Sequence, residues 1–418
     1  MPTSQRRLMN FVRISNVKLQ QYRYDNHTNL LKNHGKYNNL FYTVRVNPFW
    51  LEFQAPSTEA FHIMAILYII IMVIGCFGNA FVIFMFIRFK SLRTQANLLV
   101  INLAISDFFM LAKCPIAIYN SFKEGPALGD WGCRIYGFLG GLTGTTSIIT
   151  LTAIAIDRYK VVVHPLDSIR YSSKIRIRCT LAFIWFYSFV FSVIPALDIG
   201  LSVYVPEGFL TTCGFDYLDR SLAARIFMFV FFVGAWCVPF GIIVYCYMYI
   251  LKVVCSGSIR SSKDKYKTEI KLAVIVFVII WLWFLAWTPY SIVALLGISG
   301  NENKLTPLGS MIPAIFCKSS ACIDPYIYAA THPRFRMELQ RLVHGGMPVR
   351  RSSTMRSSVI SRSTTSKRLR KDCISDIQSR NGMTANERKV NMSIIEEKDE
   401  SEIYMEQLYI LIFDFFYL

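Results

Sequence analysis

The chain has 418 residues, of which 53% are apolar and only 17% charged, and its mean hydropathy is positive. Soluble domains average about a quarter charged residues, so one large soluble domain is a poor match. The formal net charge of +18 would also suit a nucleic-acid binder, but such a protein has no need of long apolar runs.

Seven runs are long enough to cross a bilayer, which takes about 20 residues each. They lie at about 61–87, 97–120, 133–156, 179–199, 222–251, 272–296 and 308–330. The predicted fold is therefore all-α, a seven-transmembrane-helix bundle over 61–330. Residues 1–60 read as an extracellular tail. Arg6, Arg7 and Arg13 have no apolar core behind them, so no cleavable signal is expected and the first span is expected to target the chain. Asn26-His27-Thr28 is a glycosylation sequon, a pattern as often unused as used.

Loop charge sets the orientation. Arg88, Lys90 and Arg93 follow span one; Arg158, Lys160, Arg170 and Lys174 surround the link from three to four; Lys252, Arg260 and Lys263 surround the link from five to six. The alternate loops are poor in Lys and Arg. The N-terminus is thus predicted outside and the C-terminus in the cytoplasm, although the long N-terminal tail is itself basic. Of 11 cysteines, only Cys133 and Cys213 fall on the outer side. There they are either free thiols or one disulfide, which would pin the loop after span four to the top of span three.

Polar residues inside a bilayer are costly and usually functional. The spans contain Asn79, Asp107, Asp157-Arg158-Tyr159, Trp185, Trp287-Thr288-Pro289-Tyr290 and Asp324-Pro325-Tyr326-Ile327-Tyr328. Pro239, Pro289 and Pro325 interrupt three helices, which is tolerated where neighbours satisfy the freed backbone groups. Beyond span seven, Phe335, Leu339 and Leu342 share one helical face opposite Arg334, Arg336 and Arg341, which predicts a membrane-surface helix over 331–343. Residues 344–418 are polar and basic without apolar periodicity and read as a disordered cytoplasmic tail. Its Ser/Thr cluster, from Ser352 to Ser366, lies beside arginines and suits basophilic kinases, or is a plain solvated linker.

In this order and on these spans, the motifs resemble the rhodopsin-like receptor family across about residues 60–343. The resemblance implies a ligand pocket in the outer half of the bundle. It implies that Asp157 holds Arg158 at rest beside Tyr159, and that Asp107, Asp324, Pro325 and Tyr328 belong to a polar core that rearranges on activation.

Lys318 lies in the middle of span seven, six residues before Asp324. From there it cannot easily reach either surface, so it must be paired, neutral or modified. It either bridges to a neighbouring acid or condenses with an aldehyde. Lys318-Ser319-Ser320-Ala321-Cys322-Ile323-Asp324-Pro325 resembles the retinal-attachment segment of invertebrate opsins, and His332-Pro333-Arg334 their post-helix motif. This implies a light receptor carrying retinal, as 11-cis-retinal or 3-hydroxyretinal, on Lys318. A protonated Schiff base needs an anion. Tyr136 stands where vertebrate visual pigments place a glutamate, and it cannot serve. The run from Pro206 to Tyr217 resembles the invertebrate second outer loop, which makes Glu207 the counterion; otherwise Glu207 is an ordinary loop acid, with Asp216 its nearest rival. Trp287 and Tyr290 match positions that pack on retinal, whereas most of Phe227, Phe229, Phe231 and Phe232 are expected to face lipid or other helices.

The segment from Lys113 to Phe122 resembles ultraviolet-sensitive insect opsins, which carry a lysine at this point. A positive charge there disfavours the protonated Schiff base and shortens the absorbed wavelength; the alternative is that Lys113 pairs with an outer acid such as Glu124. The short link Cys255–Lys265 lacks the Gln-Ala-Lys-Lys-Met-Asn-Val stretch of insect visual opsins, and Ala286 replaces a small polar residue or cysteine. With the extended N-terminus, these departures resemble the divergent rhodopsin-seven-like insect opsins. The partners implied are a heterotrimeric G protein of the Gq class, arrestin, a receptor kinase and membrane lipid, with no nucleic acid, in the plasma or rhabdomeric membrane. A receptor for a diffusible peptide or amine is the alternative on this fold. A transporter would use its intramembrane charges along a pathway, which the Asp157-Arg158-Tyr159 and Asp324-Pro325 motifs argue against. An enzyme would need a phosphate loop, a metal-spaced cluster or a nucleophile–base pair, and none is found.

Overall fold

The computed structural model describes residues 44–164, 174–255, 263–331 and 333–343. Helix α1 spans Thr58–Arg88 and starts at Ser57, whose side chain accepts the Ala60 N–H. Helix α2 runs Gln95–Ala112, breaks at Lys113, and resumes as Cys114–Phe122. Pro115 has no N–H to give the preceding turn, which accounts for the break. Helix α3 is Gly129–Val163 and α4 is Lys174–Leu197. Helix α5 runs Leu222–Phe232, widens into a π turn at Val233–Cys237, and continues as Val238–Cys255, so the widening directly precedes Pro239. Helices α6, α7 and α8 are Lys263–Ile298, Pro307–Thr331 and Pro333–Val343.

Among the described residues, six helices are long and apolar enough to cross a membrane: α1 to α6. The seventh, α7, has 25 residues, but Lys318 and Asp324 dilute its apolar character. The predicted spans agree with the helices to within a few residues at most ends. Helix α3 packs on α2, α4, α5 and α6, while α7 packs on α1, α2 and α6. Ile66, Ile70 and Phe77 on α1, and Phe183 and Phe186 on α4, are exposed on the outside of the bundle. A surface this apolar suits lipid, not water.

Buried polar pairs lock the helices. Trp185 Nε1 donates to Asn102 Oδ1 at 2.8 Å, and Asn102 Nδ2 donates to Thr150 Oγ1 at 2.8 Å, tying α4 to α2 and α3. Asn79 Nδ2 donates to the Ala321 carbonyl at 2.8 Å, tying α1 to α7.

Between α4 and α5 lies a hairpin, β1 (Tyr204–Glu207) antiparallel to β2 (Thr212–Phe215), with Glu207 opposite Thr212. Its turn holds Gly208 at φ 58° and Leu210 at φ 60°. Every strand residue is buried. The disulfide Cys133–Cys213, with Cα atoms 5.3 Å apart, fastens β2 to the start of α3. The last part of the predicted N-terminal tail is folded over this hairpin. Pro48–Leu51 forms one helical turn, and Val44, Val46, Trp50 and Leu51 are buried in one cluster with Leu210, Phe215, Tyr217 and Leu218.

At the other end, Phe335 of α8 is buried against Phe81 and Phe86. Ser91 Oγ donates to Glu338 at 2.7 Å. Asn26, the link 256–262, the Ser352–Ser366 cluster and the whole tail 344–418 lie outside the described residues, as does the side chain of Tyr328.

Candidate functional site: a charged cavity beneath the hairpin

A cavity of about 140 Å³ lies inside the bundle, with walls from α2, α3, α5, α6 and α7 and a roof from the hairpin. Lys113, Tyr136, Glu207, Trp287, Tyr290 and Lys318 all line it. These residues come from four helices and a strand, far apart in sequence.

Lys318 is 5% exposed. Its Nζ donates to the Ala314 carbonyl at 2.6 Å and lies 5.5 Å and 5.9 Å from the ring centres of Tyr68 and Tyr136. Lys113, at the break in α2, is also buried. Its Nζ donates to the Tyr136 carbonyl at 3.3 Å and lies 4.3 Å from the centre of that ring. Tyr136 thus supplies a ring face and a carbonyl to a cation, in keeping with the attraction of ammonium for an aromatic face. The expected alternative pairing with Glu124 is not adopted: Lys113 turns to Tyr136, and Glu124 accepts from Thr58 Oγ1 at 2.8 Å.

Glu207 enters from the roof. Its carboxylate accepts from the Tyr290 hydroxyl at 3.2 Å. Burial pushes this carboxyl up to about 7, against the opposing pull of the Lys318 ammonium, the Tyr290 hydroxyl and Lys113. It is not in ion-pair contact with either lysine. A side chain at Gly214 would meet both Tyr290 and Glu207, at 2.6 Å and 3.0 Å, so the bare backbone of β2 leaves room for the pair. Asp216 is turned out of the cavity: it accepts from Asn47 Nδ2 at 3.0 Å and from the Leu218 N–H at 3.2 Å. Burial and nearby Asp219 push it up to about 6.

The remaining wall is apolar and aromatic. Trp287 stacks on Trp283 with centres 5.1 Å apart and presents its edge to Tyr290. Phe231, Phe232 and Trp236 close the α5 side, while Phe229 faces outward, 60% exposed. Sequence reasoning expects most of these phenylalanines to face lipid or other helices; Phe231 and Phe232 instead line the cavity, and Phe227 packs on Phe191 of α4. That reasoning also passes over the glycines of α3. Gly137, Gly140, Gly141 and Gly144 all line the cavity, at the spacing of one helical face, which was the available signal.

The other predicted residues gather towards the opposite end. Asp107 accepts from Ser147 Oγ at 2.8 Å and lies beside Asp324. Arg158 is paired with Asp157. Tyr159 packs its ring on Tyr245 and Tyr249, with centres 5.9 Å and 6.0 Å away. Chemically, the cavity offers two buried amines, one carboxylate and a flat aromatic wall. That set suits covalent capture of a long apolar aldehyde.

Residues 78–328 match the family of 7 transmembrane receptors (rhodopsin family). The chain is 39% identical over 314 residues to the ultraviolet-sensitive opsin of Apis mellifera, covering 71% of this chain and 84% of that one. It is 38% identical over 316 residues to the blue-sensitive opsin of the same bee, covering 72% and 83%. The crystal structure of squid rhodopsin superposes with a TM-score of 0.68 at 32% identity, over 72% of this chain and 91% of that one. The chain therefore belongs to the rhodopsin family of seven-transmembrane receptors and, within it, to the opsins: it is a multi-pass, light-sensing G-protein-coupled receptor, not an enzyme.

Proposed function

We propose that the receptor carries retinal as a Schiff base on Lys318 and senses short-wavelength light, in the ultraviolet. The observation that carries this reading is the Lys318 amine, buried in mid-helix and opening on the same cavity as Glu207. The residues present suit the group. The cavity is lined by aromatic rings on α5 and α6, and the glycines of α3 leave a smooth wall; a Cβ at Gly144 would fall 2.6 Å from Trp287. Bound there, retinal supplies light absorption and a change of shape.

The chain's own groups divide the remaining work. Glu207 is the anion that balances a protonated Schiff base, aligned by Tyr290. Lys113 opposes that protonated form, since like charge disfavours it. Two amines against one carboxylate leave the cavity short of negative charge. Trp287 and Tyr290 pack on the chromophore, and Tyr136 holds Lys113.

Asp157, Arg158 and Tyr159 form the cytoplasmic switch, coupled to the cavity through Asp107, Asp324, Pro325 and Tyr328. The basic loops support a reading with this end in the cytoplasm and Asn26 outside. The G protein is of the Gq class, and arrestin and a receptor kinase read the Ser352–Ser366 cluster, in a plasma or rhabdomeric membrane. The test is purification with 11-cis-retinal, an absorption spectrum, and borohydride reduction followed by peptide mapping. Retinal fixed to the Lys318 peptide and absorption in the ultraviolet support the reading. A visible peak that Lys113→Glu leaves in place overturns the ultraviolet assignment.

A further inference from the structure

Two neighbouring features of the cavity fit one another closely enough to define a role. A Cβ built on Gly140 would lie 2.3 Å from Lys113 Nζ and 3.7 Å from Lys113 Cε, with nothing else within 4 Å. Lys113 Nζ is the atom held by the Tyr136 carbonyl and ring, one helical turn away on the same face of α3. The wall of α3 therefore forms a seat for one ammonium group: an aromatic face and a carbonyl from Tyr136, and vacant side-chain space at Gly140. The backbone at Gly140 is ordinary helix within α3, so backbone geometry does not require glycine there.

We propose that Gly140 is a positioning residue for Lys113, its missing side chain fixing where the second cation of the cavity stands and hence how strongly that cation acts on the chromophore nitrogen at Lys318. This rests on the reading of Lys113 and Lys318 given above. The geometry separates Gly140 from the other glycines of the wall. A Cβ at Gly144 meets the ring of Trp287, at Gly137 the ring of Tyr204, and at Gly141 the hydroxyls of Tyr204 and Ser192. Among these four glycines of α3, only at Gly140 is the displaced atom a charged one at the free end of a flexible side chain. Adding a methyl group there moves a charge, not a ring. An electrostatic effect varies with distance, so a small displacement of Nζ alters the proton equilibrium of the neighbouring nitrogen.

Lys113→Met is the informative partner substitution. Methionine is one atom shorter and ends where Lys113 Cε now lies, at an ordinary contact distance from a Cβ on residue 140. The test is a double-substitution cycle with Gly140→Ala and Lys113→Met, read in two ways. The first uses the protein without chromophore. Gly140→Ala should lower its melting temperature, and Lys113→Met should remove most of that loss. The second is a spectral pH titration after reconstitution with 11-cis-retinal. Gly140→Ala should change the Schiff-base proton equilibrium about tenfold, one pKa unit, in the Lys113 protein, and leave it unchanged in the Lys113→Met protein. If Gly140→Ala alone yields no folded receptor, recovery in the double variant supports the proposal and failure to recover overturns it. Equal effects with and without Lys113, or no effect in either readout, also overturn it. If Lys113→Met by itself leaves the titration unmoved while the melting cycle behaves as stated, the steric fit holds and the tuning role of Lys113 is what fails.

Discussion

The two ends of the bundle use buried polar groups in different ways. At the hairpin end, Lys113, Lys318 and Glu207 surround a cavity, and no two of them are in ion-pair contact; their hydrogen bonds go to carbonyls and to Tyr290. At the other end, polar groups meet each other directly: Asp157 with Arg158, Ser147 with Asp107, Ser91 with Glu338. Buried charge is costly unless paired. The first arrangement makes sense for a site whose final partner is a ligand. The second suits a switch that exchanges one internal partner for another.

The largest effect expected at the hairpin end comes from its covalent tie. Changing Cys133 or Cys213 to Ser should cost on the order of 3 kcal/mol and release the roof that carries Glu207. Loss of surface expression and of pigment should follow for both variants alike, and thiol mapping of the folded wild type should find neither cysteine free. Next comes Glu207→Gln. Removing the one carboxylate among the described cavity-lining residues should lower the Schiff-base pKa, measurable by spectral titration in any background that absorbs in the visible and adds no new acid, such as Lys113→Met. Asp216→Asn should leave that titration unchanged, because Asp216 faces Asn47 and not the cavity.

A third effect concerns pH and the receptor without chromophore. Burial raises the carboxyl of Glu207 from 4.5 to about 7 and that of Asp216 from 3.8 to about 6. Both therefore bind protons more tightly folded than unfolded. Stability should fall as pH rises from about 4 to 7 and level off above that. Glu207→Gln should flatten the upper part of this slope in a melting-temperature series, and Asp216→Asn the lower part. The smallest effect expected is from Asn47→Ala, which removes one partly buried bond between the N-terminal segment and the hairpin. It should cost about 1 kcal/mol and speed the access of hydroxylamine to the cavity.

The two ends also differ in how legible they were. The Asp107, Asp157-Arg158-Tyr159 and Asp324-Pro325 groups could be read directly, because a charge inside an apolar run stands out whatever it touches. Lys318 and Lys113 were legible for the same reason, and the Cys133–Cys213 tie because these two cysteines fall on the outer side of the predicted spans. Beyond Trp287 and Tyr290, the cavity wall was not. Phe231 and Phe232 look like Phe229 in sequence, and only the packing of α5 in the bundle shows which of them face inward. Gly140 carries no side chain to reason from; its meaning lies in the distance to Lys113 Nζ, which only packing reveals. The folded segment Pro48–Leu51 was likewise hidden, since its apolar residues become informative only once the hairpin beneath them is known.

The most direct test of the central claim is borohydride reduction of the 11-cis-retinal-reconstituted receptor, with mass mapping of the modified lysine in the wild type and in Lys318→Ala. The account predicts retinyl mass on the Lys318 peptide alone in the wild type, and no covalent adduct in Lys318→Ala. A retinyl group on any other lysine of the wild type, or an adduct that persists in Lys318→Ala, would contradict it.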